Sequence, residues 1–328
     1  MNNCNKMMAI IVDSKKRLQW SRVPIPPCAD HEVLVEVHST AVNRADLLQR
    51  EGKYPPPPGA SPILGLEMAG IIYYVGKHVK NWRAGDRVLS LLSGGGYAEV
   101  VAIPASHLIS MPVAWDYNYA AAIPEVFLTA YVNLFREANL QRCETVIIHG
   151  GASGVGTAAI QLAVHTECRV IATAGSEKKI SFCKNLGAEH SINYNRSDFA
   201  QVVTKQFGGA DVVLDISGAD YLESNIDILK SKGRLIFIAI LSGNRAEIDI
   251  GKVLSKRLHL IGSTLRSRSE EEKTSIINSF KEKFWPELLG KKIKPIIDTI
   301  YPIQNIDEAH ERLRQNSTIG KIVITIRK

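Results

Sequence analysis

Residues 145–163, TVIIHGGASGVGTAAIQLA, decide the fold. A β-branched apolar run enters a cluster of small residues and leaves as an alanine-rich helical stretch. A turn of this kind lets backbone approach a pyrophosphate, and the helix that follows offers unpaired N–H groups and a positive dipole end. Gly154-Val155-Gly156-Thr-Ala-Ala159 fits the dinucleotide pattern G-x-G-x-x-A. A second register, Gly151-Ala-Ser153-Gly154-Val155-Gly156, fits with Ser153 at the middle glycine position. Gly151, Ser153, Gly154, Val155 and Gly156 are therefore expected to hold the cofactor.

Working outward, β-branched runs alternate with helical stretches from about residue 120. Strands are expected at Thr145–His149, Arg169–Thr173, His190–Asn193, Asp211–Asp215, Arg234–Ala239 and Leu258–Gly262. Helical stretches lie between them. Continuous apolar strands with helical crossovers predict a parallel sheet covered on both faces, and six such strands complete a doubly wound dinucleotide-binding (Rossmann) sheet. Before residue 120 the texture is different: short strands such as Val33–Val37, separated by turns and the proline run Pro55–Pro58. After Glu270–Phe284, expected as a helix, the chain ends in a strand-like KIVITIR, residues 321–327. The expected division is a β-rich domain of residues 1–120 and 286–328, interrupted by a dinucleotide domain of residues 121–285.

The end of the second strand selects the dinucleotide. An NAD site places Asp or Glu there, on the ribose 2′-hydroxyl. Here the strand runs into Ala174-Gly175-Ser176-Glu177-Lys178-Lys179. Gly175 leaves room, Ser176 offers a donor and Lys179 a charge for a 2′-phosphate, so NADPH is favoured over NADH. Glu177 keeps the NAD alternative open. Tyr194, just past the third strand, is placed to stack near the adenosine. Ser217 and Gly218 follow the fourth strand, and Ile240 and Leu241 the fifth, at the sheet edge where ligands sit in such folds.

Composition narrows the class. The chain has 328 residues, 45% hydrophobic and 22% charged, with a net charge of +7. That is a globular composition. Residues 121–285 carry 20 basic and 18 acidic side chains, and no basic stripe interleaves with aromatics, so a nucleic-acid partner is not expected. No apolar run approaches the ~20 residues of a membrane helix, and Met7–Val12 is too short for a secretory leader core. Five scattered cysteines (Cys4, Cys28, Cys143, Cys168 and Cys183) without a CxxC suggest neither a disulfide framework nor a zinc knuckle. A reducing, cytoplasmic setting is the corresponding expectation.

Several separated segments carry a resemblance that spans essentially the whole chain: Asn43-Arg-Ala-Asp46-Leu-Leu-Gln-Arg, Gly52-Lys-Tyr54, Ile63-Leu-Gly-Leu-Glu67-Met-Ala-Gly70, Ala120-Ala-Ala-Ile-Pro124-Glu125, the phosphate loop, Ala174–Lys179 and Gly320-Lys321-Ile-Val. Together they resemble the zinc-free medium-chain dehydrogenases/reductases of the quinone oxidoreductase (zeta-crystallin-like) family, and are similar in particular to the tumour-suppressor-inducible branch. The resemblance implies an α/β fold with a GroES-like, partly open β-barrel domain beside the Rossmann domain, and a homodimer. Where zinc-dependent relatives have G-H-E, this chain has Gly65-Leu66-Glu67, and no cysteine falls in residues 38–48. No metal is expected.

By motif match, Asn43 and Tyr54 are the expected catalytic residues. Asn43 would hydrogen-bond the nicotinamide or an acceptor oxygen, or else simply cap the following helix. Tyr54 would orient the acceptor or donate a proton. Thr129, Arg266 and Lys321 resemble cofactor contacts, although each is equally readable as a surface side chain. The activity implied is reduction of a quinone by NADPH. The alternatives are NADPH-dependent reduction of an enone or enoyl thioester, and a nucleotide-binding protein with a structural or RNA-binding role.

Overall fold

The computed structural model describes residues 6–327, and Cys4 lies outside them. Along the chain come β1 (Lys6–Val12), β2 (Leu18–Pro24), β3 (Glu32–Val42), α1 (Arg44–Arg50), β4 (Glu67–Val75), β5 (Arg87–Leu91), β6 (Val100–Pro104), β7 (Leu108–Ser110), α2 (Tyr117–Ala121) and α3 (Pro124–Tyr131). The alternation follows with β8 (Thr145–Ile148), α4 (Gly154–His165), β9 (Arg169–Ala174), α5 (Glu177–Asn185), β10 (His190–Asn193), α6 (Phe199–Phe207), β11 (Ala210–Asp215), α7 (Leu222–Ile228), β12 (Leu229–Phe237), α8 (Ile250–Lys256) and β13 (His259–Gly262). The chain closes with α9 (Glu270–Leu289), β14 (Ile297–Pro302), α10 (Ile306–Arg314) and β15 (Lys321–Thr325).

Residue contacts divide the chain into two units. One comprises the chain up to Val126 with Arg266–Ser279 and the residues from Pro295 onward; the other comprises Phe127–Leu265 with Phe280–Lys294.

In the first unit a seven-stranded sheet runs β14-β15-β3-β4-β5-β7, with β6 also on β3, and β1 and β2 form a separate hairpin. The long strand β3 organises it. Its Val33, Val35 and Val37 are fully buried with Met68, Ile72 and Val88 on one side of the sheet. Period-two alternation puts every second side chain on one face, and burial of each valine contributes roughly 1.5–3 kcal/mol. A second core gathers Leu47, Leu64, Tyr97, Ile306 and Ile322. This is the GroES-like, incompletely closed β architecture.

In the second unit six strands pair in the order β10-β9-β8-β11-β12-β13, all parallel. Numbered within the unit, that is 3-2-1-4-5-6, the doubly wound order of a dinucleotide-binding sheet. Ile147, Ile171, Val213 and Leu235 fill its centre. Three details differ from the pattern reading. The fifth strand begins at Leu229, which pairs with Ala210 before a register break, because Lys232 (φ 63°) and Gly233 kink the chain between two paired segments. Helix α9 continues past Phe284 with Pro286 inside it, since the helix ends within a turn of the proline and little ladder is lost. Helix α8 carries no pattern signal of its own and leaves Ile250 and Leu254 largely exposed.

Among the described residues, Cys28, Cys143, Cys168 and Cys183 are free thiols, and no helix is long and apolar enough to cross a membrane.

Candidate functional site

In the second unit the strand-to-helix turn is held by backbone sterics. Gly150 takes φ 64°, a left-handed conformation that suits glycine. A Cβ on Gly156 would lie 2.3 Å from the Gly150 carbonyl oxygen and 2.7 Å from Gly151 Cα, so α4 rests directly on the end of β8. That close packing is the task of the third glycine in the dinucleotide fingerprint, which favours the register Gly151–Ser153–Gly156. Ser153 is the N-cap of α4: its Oγ accepts from Gly156 N at 3.0 Å, and its hydroxyl proton remains available to donate. Gly154 and Val155 form the first turn of the helix.

The ends of the neighbouring strands complete the rim of the sheet. A Cβ on Gly175 would stand 2.5 Å from the Tyr194 hydroxyl, so the tyrosine lies directly over the end of β9. Ser176 caps α5, accepting from Lys179 N. Glu177 is turned toward Asn193 (2.7 Å) and the Arg196 guanidinium (3.2 Å). Its charge is therefore already engaged, and Arg196 adds a cation that pattern reading missed; the only local signal is its place three residues past β10. At β11, buried Asp215 accepts from Ser217 N and Gly218 N, both at 2.9 Å, which fixes that loop. Ile240 and Leu241 follow, more than half exposed. Thr129 lies in α3, partly exposed. These residues present small, N–H-rich edges at the carboxyl ends of parallel strands, a surface suited to a dinucleotide.

The first unit holds a different centre. Lys321 is 3% exposed, and its ammonium reaches three acceptors: Asn43 Oδ1 (2.6 Å), Glu67 Oε1 (2.8 Å) and the Val42 carbonyl (2.9 Å). An ammonium has three N–H donors. All three N–H groups of Lys321 are thus engaged by acceptors within the first unit. Asn43 Nδ2 donates to Glu67 Oε1 at 2.9 Å, so this amide positions a buried ion pair. The backbone N–H of Asn43, the position preceding α1, is capped by Asp46 Oδ2 at 2.8 Å.

Asp46 also accepts from Gly65 N and the Tyr97 hydroxyl, and burial pushes its carboxyl up to about 6 against the pull of those donors. The Tyr97 hydroxyl lies 3.2 Å from His310 Nε2, and burial, with Arg50 and Arg314 nearby, holds that imidazole down at about 3 and hence neutral.

Arg266 is not the surface charge that its alternative reading expected. It is 4% exposed and belongs to the first unit, where Nε donates to the Ser93 carbonyl (2.8 Å) and Nη2 to Gln49 Oε1 (2.7 Å). Its guanidinium carbon sits 5.4 Å from the centroid of the Tyr54 ring, a cation–π contact, and Nη1 has no hydrogen-bond partner. Buried Lys273 binds Ser93 Oγ and the Arg266 carbonyl, both at 2.7 Å. Tyr54 is partly buried, and its phenol is raised above the usual range by burial and by Glu125. Arg266 is thus a cation beside Tyr54. Lys273 was not marked by sequence pattern, because its partner Ser93 lies far away along the chain.

A GroES-like unit together with a 3-2-1-4-5-6 parallel sheet is the architecture of a medium-chain dehydrogenase/reductase. Comparison with known proteins agrees. The alcohol dehydrogenase GroES-like domain model matches residues 29–113, and the zinc-binding dehydrogenase model matches residues 154–281. Human quinone oxidoreductase is 31% identical over 93% of this chain and 91% of its own length. The structure of Escherichia coli quinone oxidoreductase complexed with NADPH superposes with a TM-score of 0.86 at 27% identity, covering 98% of this chain and all of that one. The CurK enoyl reductase structure gives a TM-score of 0.85 at 27% identity, covering 97% and 99%. The chain belongs to the quinone oxidoreductase-like family of medium-chain dehydrogenases/reductases, a family of oxidoreductases.

The zinc in one family description does not fit the side chains present. Leu66, where a ligand histidine would stand, is 1% exposed in the core, and among the described residues no group of three or more His, Cys, Asp or Glu side chains could hold a metal.

Proposed function

We propose that the protein is an NADPH-dependent, metal-independent reductase of quinones. The observation that carries the reading is the buried Arg266 guanidinium against the Tyr54 ring. An acceptor oxygen gains negative charge on reduction, and a cation fixed beforehand in a dry site stabilises that charge without reorganising. NADPH supplies the hydride. Gly151, Ser153, Gly154, Val155 and Gly156 would hold its pyrophosphate, and Ser176, Lys179 and Arg196 would meet the 2′-phosphate. Gly175, Tyr194, Ser217, Gly218, Ile240, Leu241 and Thr129 would line the rest. The NADPH complex of the Escherichia coli relative supports this choice of cofactor.

Tyr54 orients the acceptor oxygen, and Asn43 keeps the Glu67–Lys321 pair in place. We also propose a homodimer formed through the second unit, supported by the outer edge of β13 and the exposed Ile250 and Leu254. A monomer mass from light scattering would remove that part.

The second reading, reduction of an enone or enoyl thioester, draws support from the similarity to CurK enoyl reductase. Tyr54→Phe separates the two. It keeps the ring and removes one neutral hydrogen bond, worth ~0.5–1.5 kcal/mol, so quinone turnover is expected to fall about threefold to tenfold. If the phenol instead protonates carbon, the loss is that of a general acid, ~10²–10⁴-fold. A hundredfold loss with enals, alongside poor wild-type quinone turnover, would favour the second reading.

A further inference from the structure

Two cysteines of the second unit meet at the amino ends of neighbouring parallel strands, the opposite end from the dinucleotide turn. Cys143 stands two residues before β8, and Cys168 immediately before β9. The N–H of Cys143 donates to the Glu167 carbonyl at 3.1 Å, and the N–H of Arg169 donates to the Glu144 carbonyl at 2.9 Å. Cys143 and Glu144 therefore both oppose Cys168. This is the two-against-one count of a β-bulge, with its first residue left-handed (Cys143, φ 66°). The Cys168 thiol donates to the Gln141 carbonyl at 3.2 Å, and that same carbonyl takes the Glu144 N–H, closing the turn that contains Cys143. Arg142 and Glu167, 2.6 Å apart, tie the two segments together again. Neighbouring strands lie about 4.8 Å apart, inside the ~4.4–6.8 Å between Cα atoms that a disulfide spans. Cys143 is exposed and Cys168 partly so, whereas Cys28 belongs to the first unit and Cys183 is fully buried.

We infer that Cys143 and Cys168 form a reversible disulfide, a modification site independent of which acceptor the protein reduces. The oxidant is a low-molecular-weight disulfide such as oxidised glutathione. The exposed Cys143, as thiolate, attacks one of its sulfurs; a mixed disulfide forms on Cys143 and one small thiolate leaves. Cys168, once it has lost its proton and turned from the Gln141 carbonyl, attacks the Cys143 sulfur and expels the second small thiolate. Two protein thiols are oxidised, one small disulfide is reduced to two thiols, and the two protons pass to the departing sulfurs.

A left-handed backbone suits glycine, and the exposed Cys143 side chain makes no packing that would offset the strain of occupying it. The bond closes a loop over β8, the turn of residues 150–156 and α4, so it staples the segment that carries the dinucleotide motif. A cross-link of this kind acts mainly by restricting the unfolded chain. The carboxyl ends of β8 and β9 are untouched by it. The oxidised protein therefore gains thermal stability and keeps its dinucleotide edge.

Trypsin releases residues 143–169 as one peptide that carries both thiols and no other cysteine. Protein treated with oxidised glutathione, quenched in acid and alkylated should yield this peptide two hydrogens lighter and unalkylated. Dithiothreitol should restore two alkylated thiols. Cys143→Gly suits the left-handed position, so it should fold at least as well as wild type and give no looped peptide. Oxidation should raise the melting temperature of wild type by about 5 °C and leave that of the variant unchanged. Two alkylated thiols after oxidation, a stable glutathione adduct on either cysteine, or a link from Cys143 to a second molecule would overturn the proposal. So would an equal rise in melting temperature in Cys143→Gly. Failure of NADPH to bind would remove the cofactor reading alone, since the peptide reports on the disulfide without it.

Discussion

Lys321→Met is expected to lower the melting temperature by roughly 10 °C. The ammonium lies 2.8 Å from Glu67 with both side chains essentially sealed from solvent, 4% and 0% exposed. Removing one partner of such a pair costs about 3–5 kcal/mol, because the other charge stays buried and uncompensated. Asn43 Oδ1 and the Val42 carbonyl lose their donor in the same step. The effect is thus larger than loss of a surface ion pair, which is worth ~0–1 kcal/mol.

Combining the change with Glu67→Gln removes the stranded charge. The Asn43 amide is then free to turn its oxygen toward the new glutamine, and more than half of the lost stability should return. Calorimetry on the two variants checks this. A melting temperature within about 2 °C of wild type for Lys321→Met, or no recovery in the double variant, would mean that the pair is not what holds β15 and the start of α1 together.

Gly156→Ala should abolish measurable dinucleotide binding. The added methyl would lie 2.3 Å from one backbone atom and 2.7 Å from another, and neither can rotate away as a side chain would. Relief requires α4 to lift off the end of β8, which removes the N–H groups of its first turn from the pyrophosphate site. The packing cost itself is typically ~1–3 kcal/mol, so the fold is expected to survive. Affinity for NADPH, read by fluorescence titration, should fall at least about a hundredfold, equivalent to roughly 2.7 kcal/mol. Gly262→Ala is the matched control, because a Cβ there meets nothing within 4 Å. Unchanged NADPH affinity in Gly156→Ala would show that the cofactor does not use this turn.

The regular parts of the molecule were legible because their signals are local. Residues 145–163 contain a strand, a tight turn and a helix in one window, and the same alternation repeats along the second unit. β3 could be read from its buried valines. The kink at Lys232–Gly233 was not legible, since a left-handed lysine has no sequence mark of its own. Helix α8 was missed because its apolar side chains face solvent instead of making an inward stripe.

The candidate site divides in the same way. The glycines and Ser153 belong to one contiguous motif. The cluster around Tyr54 draws on Gln49, Ser93, Glu125, Arg266 and Lys273, and only the folded sheet brings these together. Lys321 and Arg266 resemble surface charges in the sequence. What makes them central is burial against specific acceptors, which no spacing rule encodes.

The central claim is most directly tested by NADPH oxidation with purified protein, using a panel of quinones and conjugated enals, with and without prior dialysis against a chelator. The account predicts quinone-dependent consumption of NADPH, faster than with any enal, slower with NADH, and unchanged by chelation. Absence of quinone-dependent oxidation, or activity that disappears with a stoichiometric metal and returns on its addition, would contradict it.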